Sequence, residues 1–184
     1  MKTLHLAKHQ KARVWLNELP DSAYAWSEVV SYAVRANTTE QTWIKRGAVE
    51  LLIPLGGRSM YGMIGGQFEP SGDGMFEIEI PVSSGDMPIY SESLIASKDD
   101  VRTGLPAEYV RGICTGLDTG GAAHDRVVSG KFRITCAAHG LMSSSEAIFS
   151  RLSLVLLKLI MLKEAEATDA ALIELFDISK TFDR

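Results

Sequence analysis

Alternation and helical spacing divide this chain into segments before any single residue needs a role. Residues 4–19 place Leu4, Ala7, Ala12, Trp15, Leu16 and Leu19 near helical spacing, and Pro20 closes the stretch. That pattern predicts an N-terminal helical segment within 1–26. Four strands are expected in order: 28–35, whose alternation puts Val30, Tyr32 and Val34 on one face, then 48–55, 61–68 and the alternating 76–82. In the third, Gly65 and Gly66 mark a bulge or a close backbone approach. In the fourth, Phe76, Ile78, Ile80 and Val82 point inward, Glu77 and Glu79 outward, and Pro81 predicts a strand end or an edge.

Residues 83–104 are polar, with at most one short strand expected, around 89–95. A helix over 106–117 carries Val110, Ile113, Cys114 and Leu117 on one stripe, with Gly120–Gly121 as its stop. A strand over 127–137 sets Phe132, Ile134 and Cys136 on one face. The strongest helical pattern covers 144–164, with Ser143 and Glu146 as a capping box. It is apolar around most of its girth, which predicts burial on more than one side. The cover is either residues 4–19, through Trp15, Leu16 and Leu19, or a second copy, giving a homodimer through helix 145–163. A short acidic helix is expected at 169–177, within an acidic tail over 165–184. The order implies one α+β domain over 1–184, a mostly antiparallel sheet with helices on one face.

Composition narrows the function classes. With 46% hydrophobic residues and a net charge of −4, the chain reads as globular and lacks the broadly basic surface of a general DNA coat. Residues 1–17 nevertheless hold Lys2, Lys8, Lys11 and Arg13 with no acid. Cys114 and Cys136 form no C-x-x-C pair, and the start has no apolar leader, so a reducing cytoplasm is expected. The greasy run 152–162 falls short of the roughly 18 residues a spanning helix needs, and no membrane partner is expected.

Candidate chemistry is sparse. "GGRSMYGMIGG" (56–66) invites comparison with a phosphate loop, but Met63 and Ile64 stand where Lys and Ser or Thr are required. Tyr61 occupies the position where a nucleophile elbow needs glycine. Cys114, His124, Cys136 and His139 lack the paired spacing of a zinc site. Glu77 with Glu79 reads as a solvated strand face. No catalytic residue, metal or cofactor is assigned from these patterns.

Three motifs in order do suggest a family. "GGRSMYG…EP…G..FE" (56–77), "LPAEYVRGI" (105–113) and "AAHGLMSSSEAIF" (137–149) together resemble domain IV of elongation factor G and related ribosome-protection factors, over about residues 27–160. The matching positions are Gly56, Gly57, Arg58, Tyr61 and Gly62, then Pro106, Glu108 and Tyr109, then His139, Ser144, Ser145, Glu146, Ala147 and Phe149. Ser59 departs from the family's third loop glycine, and His139 lies one residue farther from the serines. The chain carries no G domain, so GTP binding in the family's manner is not expected.

The resemblance implies an α+β core with a left-handed β-α-β crossover and a loop tip that enters the ribosomal decoding site. It implies that Gly56 and Gly57 shape a strand-to-strand tip. Arg58 would contact phosphate, Tyr61 would stack, and Gly62 and His139 would lie at the RNA contact. Read without the resemblance, the same stretch is a glycine-rich hairpin with Tyr61 in the core. Two function classes follow: a non-catalytic module for ribosomal or structured RNA, or a protein-interaction or oligomeric domain that kept the fold without the ribosome.

Overall fold

The alternating segments become strands of one sheet, and the greasy helix closes over it. The computed structural model describes residues 1–38, 43–85, 87–95, 98–123 and 127–177. Eight strands lie among them: β1 (Lys2–His5), β2 (Lys11–Leu16), β3 (Trp26–Arg35), β4 (Arg46–Leu55), β5 (Arg58–Pro70), β6 (Met75–Ser83), β7 (Val101–Thr103) and β8 (Gly130–Gly140). The order across the sheet is β1-β2-β4-β5-β8-β6-β3, with β7 added beside the far end of β8. Every pairing is antiparallel except β6 with β8, which α1 (Val110–Ala123) connects as a β-α-β unit. The α+β class read from the sequence is the class observed.

The N-terminal segment corrects the helical reading. Residues 2–5 and 11–16 are paired strands, and β2 continues onto β4 from Lys11–Leu52 to Leu16–Gly47. The reason is that β2 is buried on both faces. Ala12 and Val14 face the main core while Trp15 faces a second one, so apolar residues on opposite sides imitate helical spacing.

The helix layer packs on one face. Helix α2 (Glu146–Met161) rests on β4 and β5, beside α1, and α3 (Asp169–Leu175) packs on α2 and β1. Ile148, Phe149, Leu152, Val155, Leu156, Leu159 and Met161 are all buried within the single chain. The premise for a dimer through helix 145–163 is therefore gone: Leu172, Phe176 and Leu4 complete the cover. Trp15 and Leu19, expected as that lid, lie in the second core instead.

Two helix boundaries also differ. The cap of α2 is Ser145, whose hydroxyl accepts from Ile148 N at 3.4 Å, while Ser143 is engaged elsewhere and Glu146 pairs with Arg111 at 3.2 Å. Helix α1 runs through Gly120–Gly121, because a Cβ at Gly120 would lie 2.8 Å from Leu157 Cδ2. Close helix packing, rather than termination, requires a small residue there.

On the opposite face, residues 87–95 and 98–100 form a strap over the second core, which contains Trp15, Ala48, Tyr61, Met63, Tyr90 and Cys136. The short strand of this region is β7 at 101–103, bridged to Ile89, in place of the one expected at 89–95. A register shift between Gly65 and Gly66 gives β8 one extra residue, Thr135. A Cβ at Gly66 would sit 1.9 Å from the Arg133 carbonyl oxygen, so the bulge demands glycine. The bulge turns Cys136 into the second core while Phe132 and Ile134 stay in the first, correcting their assignment to one face.

Pro81 lies within an interior strand, not at a sheet edge. Its partner on β3 is Val29, and β8 pairing ends at Glu79, so the missing N–H leaves no ladder bond broken. Glu77 and Glu79 do face away from the helices, but the expected solvated face is not observed at Glu79, which is only 9% exposed beneath its two cationic partners. Glu79 accepts from Lys131 Nζ at 2.9 Å and Arg133 Nε at 2.5 Å, and these cations hold its carboxyl below the usual glutamate range.

Candidate functional site

The β4–β5 tip is a two-residue hairpin closed by the Leu55–Arg58 pair. Gly56 has φ +66° and Gly57 has no positive φ, which matches a type II′ turn with glycine in its first central position. The strand-to-strand tip expected from the sequence is present, and Gly56 and Gly57 shape it. Arg58 is exposed beside it and has no side-chain partner among the described residues.

The tip borders a cleft of about 470 Å³ that also receives Ser59, Lys98, Asp99, Met142 and Ser143. Lys98 is exposed, and its ammonium likewise has no partner among the described residues. Asp99 is committed to the fold. Its carboxylate accepts from Ser143 N at 2.9 Å, Ser143 Oγ at 2.5 Å and Met142 N at 3.2 Å, pinning the turn before α2. Two cations with no side-chain partner among the described residues therefore meet bare glycine backbone in a cleft whose one acid is engaged by three hydrogen bonds. Leu55, Leu141 and Met142 stand exposed around this end.

The other expected contact residues are inside the protein. Tyr61 is fully buried, and its hydroxyl donates to Glu50 Oε1 at 2.8 Å. Burial and then the Glu50 charge push its pKa well above the ordinary value. It is unavailable as a stacking platform, and the hairpin reading that put Tyr61 in the core is the one observed. Gly62 faces α2, where a Cβ would lie 2.8 Å from Leu152 Cδ1. His139 is 3% exposed with Nδ1 3.0 Å from the Gly104 carbonyl. A carbonyl only accepts, so Nδ1 carries the proton. Burial lowers the imidazole pKa, which keeps the ring neutral. Of the four RNA-contact candidates, only Arg58 reaches the surface. Lys45 and Arg46 are no help to it: Arg46 begins β4 and the tip ends it, about 30 Å away at strand rise.

The strap contributes a polar site that the sequence reading missed. Glu50 is fully buried and accepts from Tyr61, from Leu94 N at 2.8 Å and from Arg13 Nη1 at 3.2 Å. The same Arg13 nitrogen donates to the Glu92 carbonyl at 2.5 Å. Burial raises the Glu50 pKa, against the opposing pull of these donors. Its only sequence signal was a lone charge inside the apolar run 48–53; Asp99 and Lys98 gave none.

The thiols are not activated nucleophiles. Burial pushes Cys136 up to about 12, and Cys114 is also raised, chiefly by burial. No group of three or more metal-ligating side chains occurs among the described residues, and His124 lies outside them. No described helix is long and apolar enough to cross a membrane. No protein-family model, curated protein or solved structure matches the chain.

Proposed function

We propose that this protein is a non-catalytic, cytoplasmic binding module that meets structured RNA, such as that of the ribosome, end-on through the β4–β5 tip. The observation that carries this reading is the convergence on one cleft, beside Gly56 and Gly57, of Arg58 and Lys98, neither of which has a side-chain partner among the described residues. Cations without an internal partner keep their full charge for phosphate, and glycine lets a backbone approach closely. The resemblance to elongation factor G domain IV points to the same tip. With Tyr61 and His139 buried, the contact is to phosphate and shape rather than to stacked bases.

Co-sedimentation with ribosomes and filter binding of a structured RNA, each at two salt concentrations, test it. Salt-sensitive binding is expected, and Arg58→Ala and Lys98→Ala should each lower the log–log salt slope by about one. Absence of binding at low salt overturns the reading. The exposed Leu55, Leu141 and Met142 around the cleft favour a second one, a protein partner. That partner would bind with little salt dependence and would be lost on Met142→Asp while tolerating Arg58→Ala.

A further inference from the structure

The sheet ends in two edges of opposite construction. At one, β1 has four residues, Lys2 Nζ donates to Asp169 Oδ1 at 2.6 Å, and α3 packs against it. Shortness, a lysine and a covering helix are recognised ways of blunting an edge. At the other, β3 is ten residues long and carries no proline or lysine, with Trp26 and Val29 exposed.

The hydrogen-bond phase of β3 tells which of its backbone groups are free. Ala36 N donates to Gly74 O at 2.9 Å, one step beyond the Arg35–Met75 pair. Position 36 is therefore a hydrogen-bonded site, and alternation turns residues 28, 30, 32 and 34 toward β6. Val29, Ser31, Ala33 and Arg35 direct N–H and C=O away from it. Pro81 opposite Val29 agrees with this phase, since a non-hydrogen-bonded site needs no donor toward β3. No partner for the outward groups occurs among the described residues.

We propose that β3 pairs antiparallel with β3 of a second copy of this chain, about a two-fold axis through Tyr32, making one continuous sheet. This register opposes Val29 to Arg35 of the second copy and Ser31 to its Ala33, so every outward residue is used, forming about eight hydrogen bonds. On the helix side it opposes Val30 to Val34 and Tyr32 to Tyr32, pairs of the aromatic and β-branched kind that stabilise sheets. Glu28 falls opposite Ala36, and no like charges meet. An interface in which each strand supplies the complement of the other is what a two-fold dimer requires. The inference is independent of RNA binding at the tip.

Sedimentation velocity of the full chain over a range of concentrations tests it. A concentration-dependent dimer is expected, and Ser31→Pro should leave a folded monomer, because the lost N–H points away from β6. A second pair of variants reads the register without touching the backbone. Val29→Arg sets two cations opposite each other twice per dimer and should weaken association several-fold, whereas Val29→Glu, facing Arg35, should strengthen it several-fold. A wild type that stays monomeric overturns the proposal. So does a dimer that responds to the two Val29 variants alike, or one that ignores them.

Discussion

The two faces of the sheet are covered by different physics. Toward the helices, Phe149, Leu152, Leu156 and Leu159 meet Ile64, Phe68, Phe132 and Ile134, and the buried polar Ser153 is satisfied by the Ile113 carbonyl at 2.9 Å. Toward the strap, fewer apolar residues are buried, and the cover is fastened to a fully buried Glu50 through Leu94 N and Arg13. The first face holds by area removed from water, which is non-directional and tolerant. The second depends on a few directional bonds around a carboxylate, so losing one partner strands the others.

The largest effect should therefore come from truncation on the helix side. Phe149 has no exposed surface, stacks on Tyr109 with ring centroids 4.6 Å apart, and lies above Gly62. Phe149→Ala should cost about 3–5 kcal/mol, from lost transfer energy plus the cavity left behind. Urea unfolding followed by circular dichroism measures it. A loss comparable to that of a surface substitution would mean that the helix face is not the principal core.

Breaking the second face should cost less in total and show its effect locally. Glu50→Ala leaves Leu94 N, the Tyr61 hydroxyl and one Arg13 contact without an acceptor, at about 2–3 kcal/mol given the partial exposure of Arg13. Hydrogen exchange at the Leu94 amide should accelerate far more than exchange within α2. Uniform acceleration would make the strap part of one cooperative core.

Glu50→Gln sharpens the comparison through pH. Burial raises the folded pKa of Glu50 above its ordinary 4.5, so its contribution to stability is fully present below that value. The contribution is lost as pH rises through the folded pKa. Wild type should lose stability relative to Glu50→Gln as pH rises from the ordinary value through the raised folded pKa. Asp73 and Glu79, whose pKa values are lowered, act in the opposite direction but are common to both proteins and drop out of the difference. A difference that is flat with pH, or that grows in favour of wild type, refutes the assignment of desolvation as the dominant cause.

The same contrast governs what the sequence made legible. Strands such as β6 have one apolar and one polar face, and period two reveals them. Strand β2 separates two cores, so its apolar residues fall on both sides and the period is lost. The bulge at Thr135 was half-visible, because Gly65–Gly66 marked the partner strand while nothing marked β8 itself. The pins were invisible for another reason: Arg13 to Glu50 spans 37 residues and Asp99 to Ser143 spans 44. A side chain that bonds across such a distance leaves no periodic trace. At the candidate site, the turn was readable from Gly56–Gly57, but the burial of Tyr61 depended on the strap above it, which had no pattern.

The smallest effect belongs to the tip, outside both cores. Arg58 pairs with Leu55 only through the backbone, and its side chain takes no part in either cluster or in any ion pair among the described residues. Removing the guanidinium leaves every hydrogen bond of the hairpin in place, and an exposed strand position tolerates alanine. Arg58→Ala should thus change stability by about 0.5 kcal/mol or less, within the usual range for surface positions. The unfolding midpoint measures this, and a substantial drop would make Arg58 a structural residue. Constant stability is also what gives the salt-slope experiment its meaning. Only when the fold is unchanged does weaker RNA binding by Arg58→Ala report a lost phosphate contact.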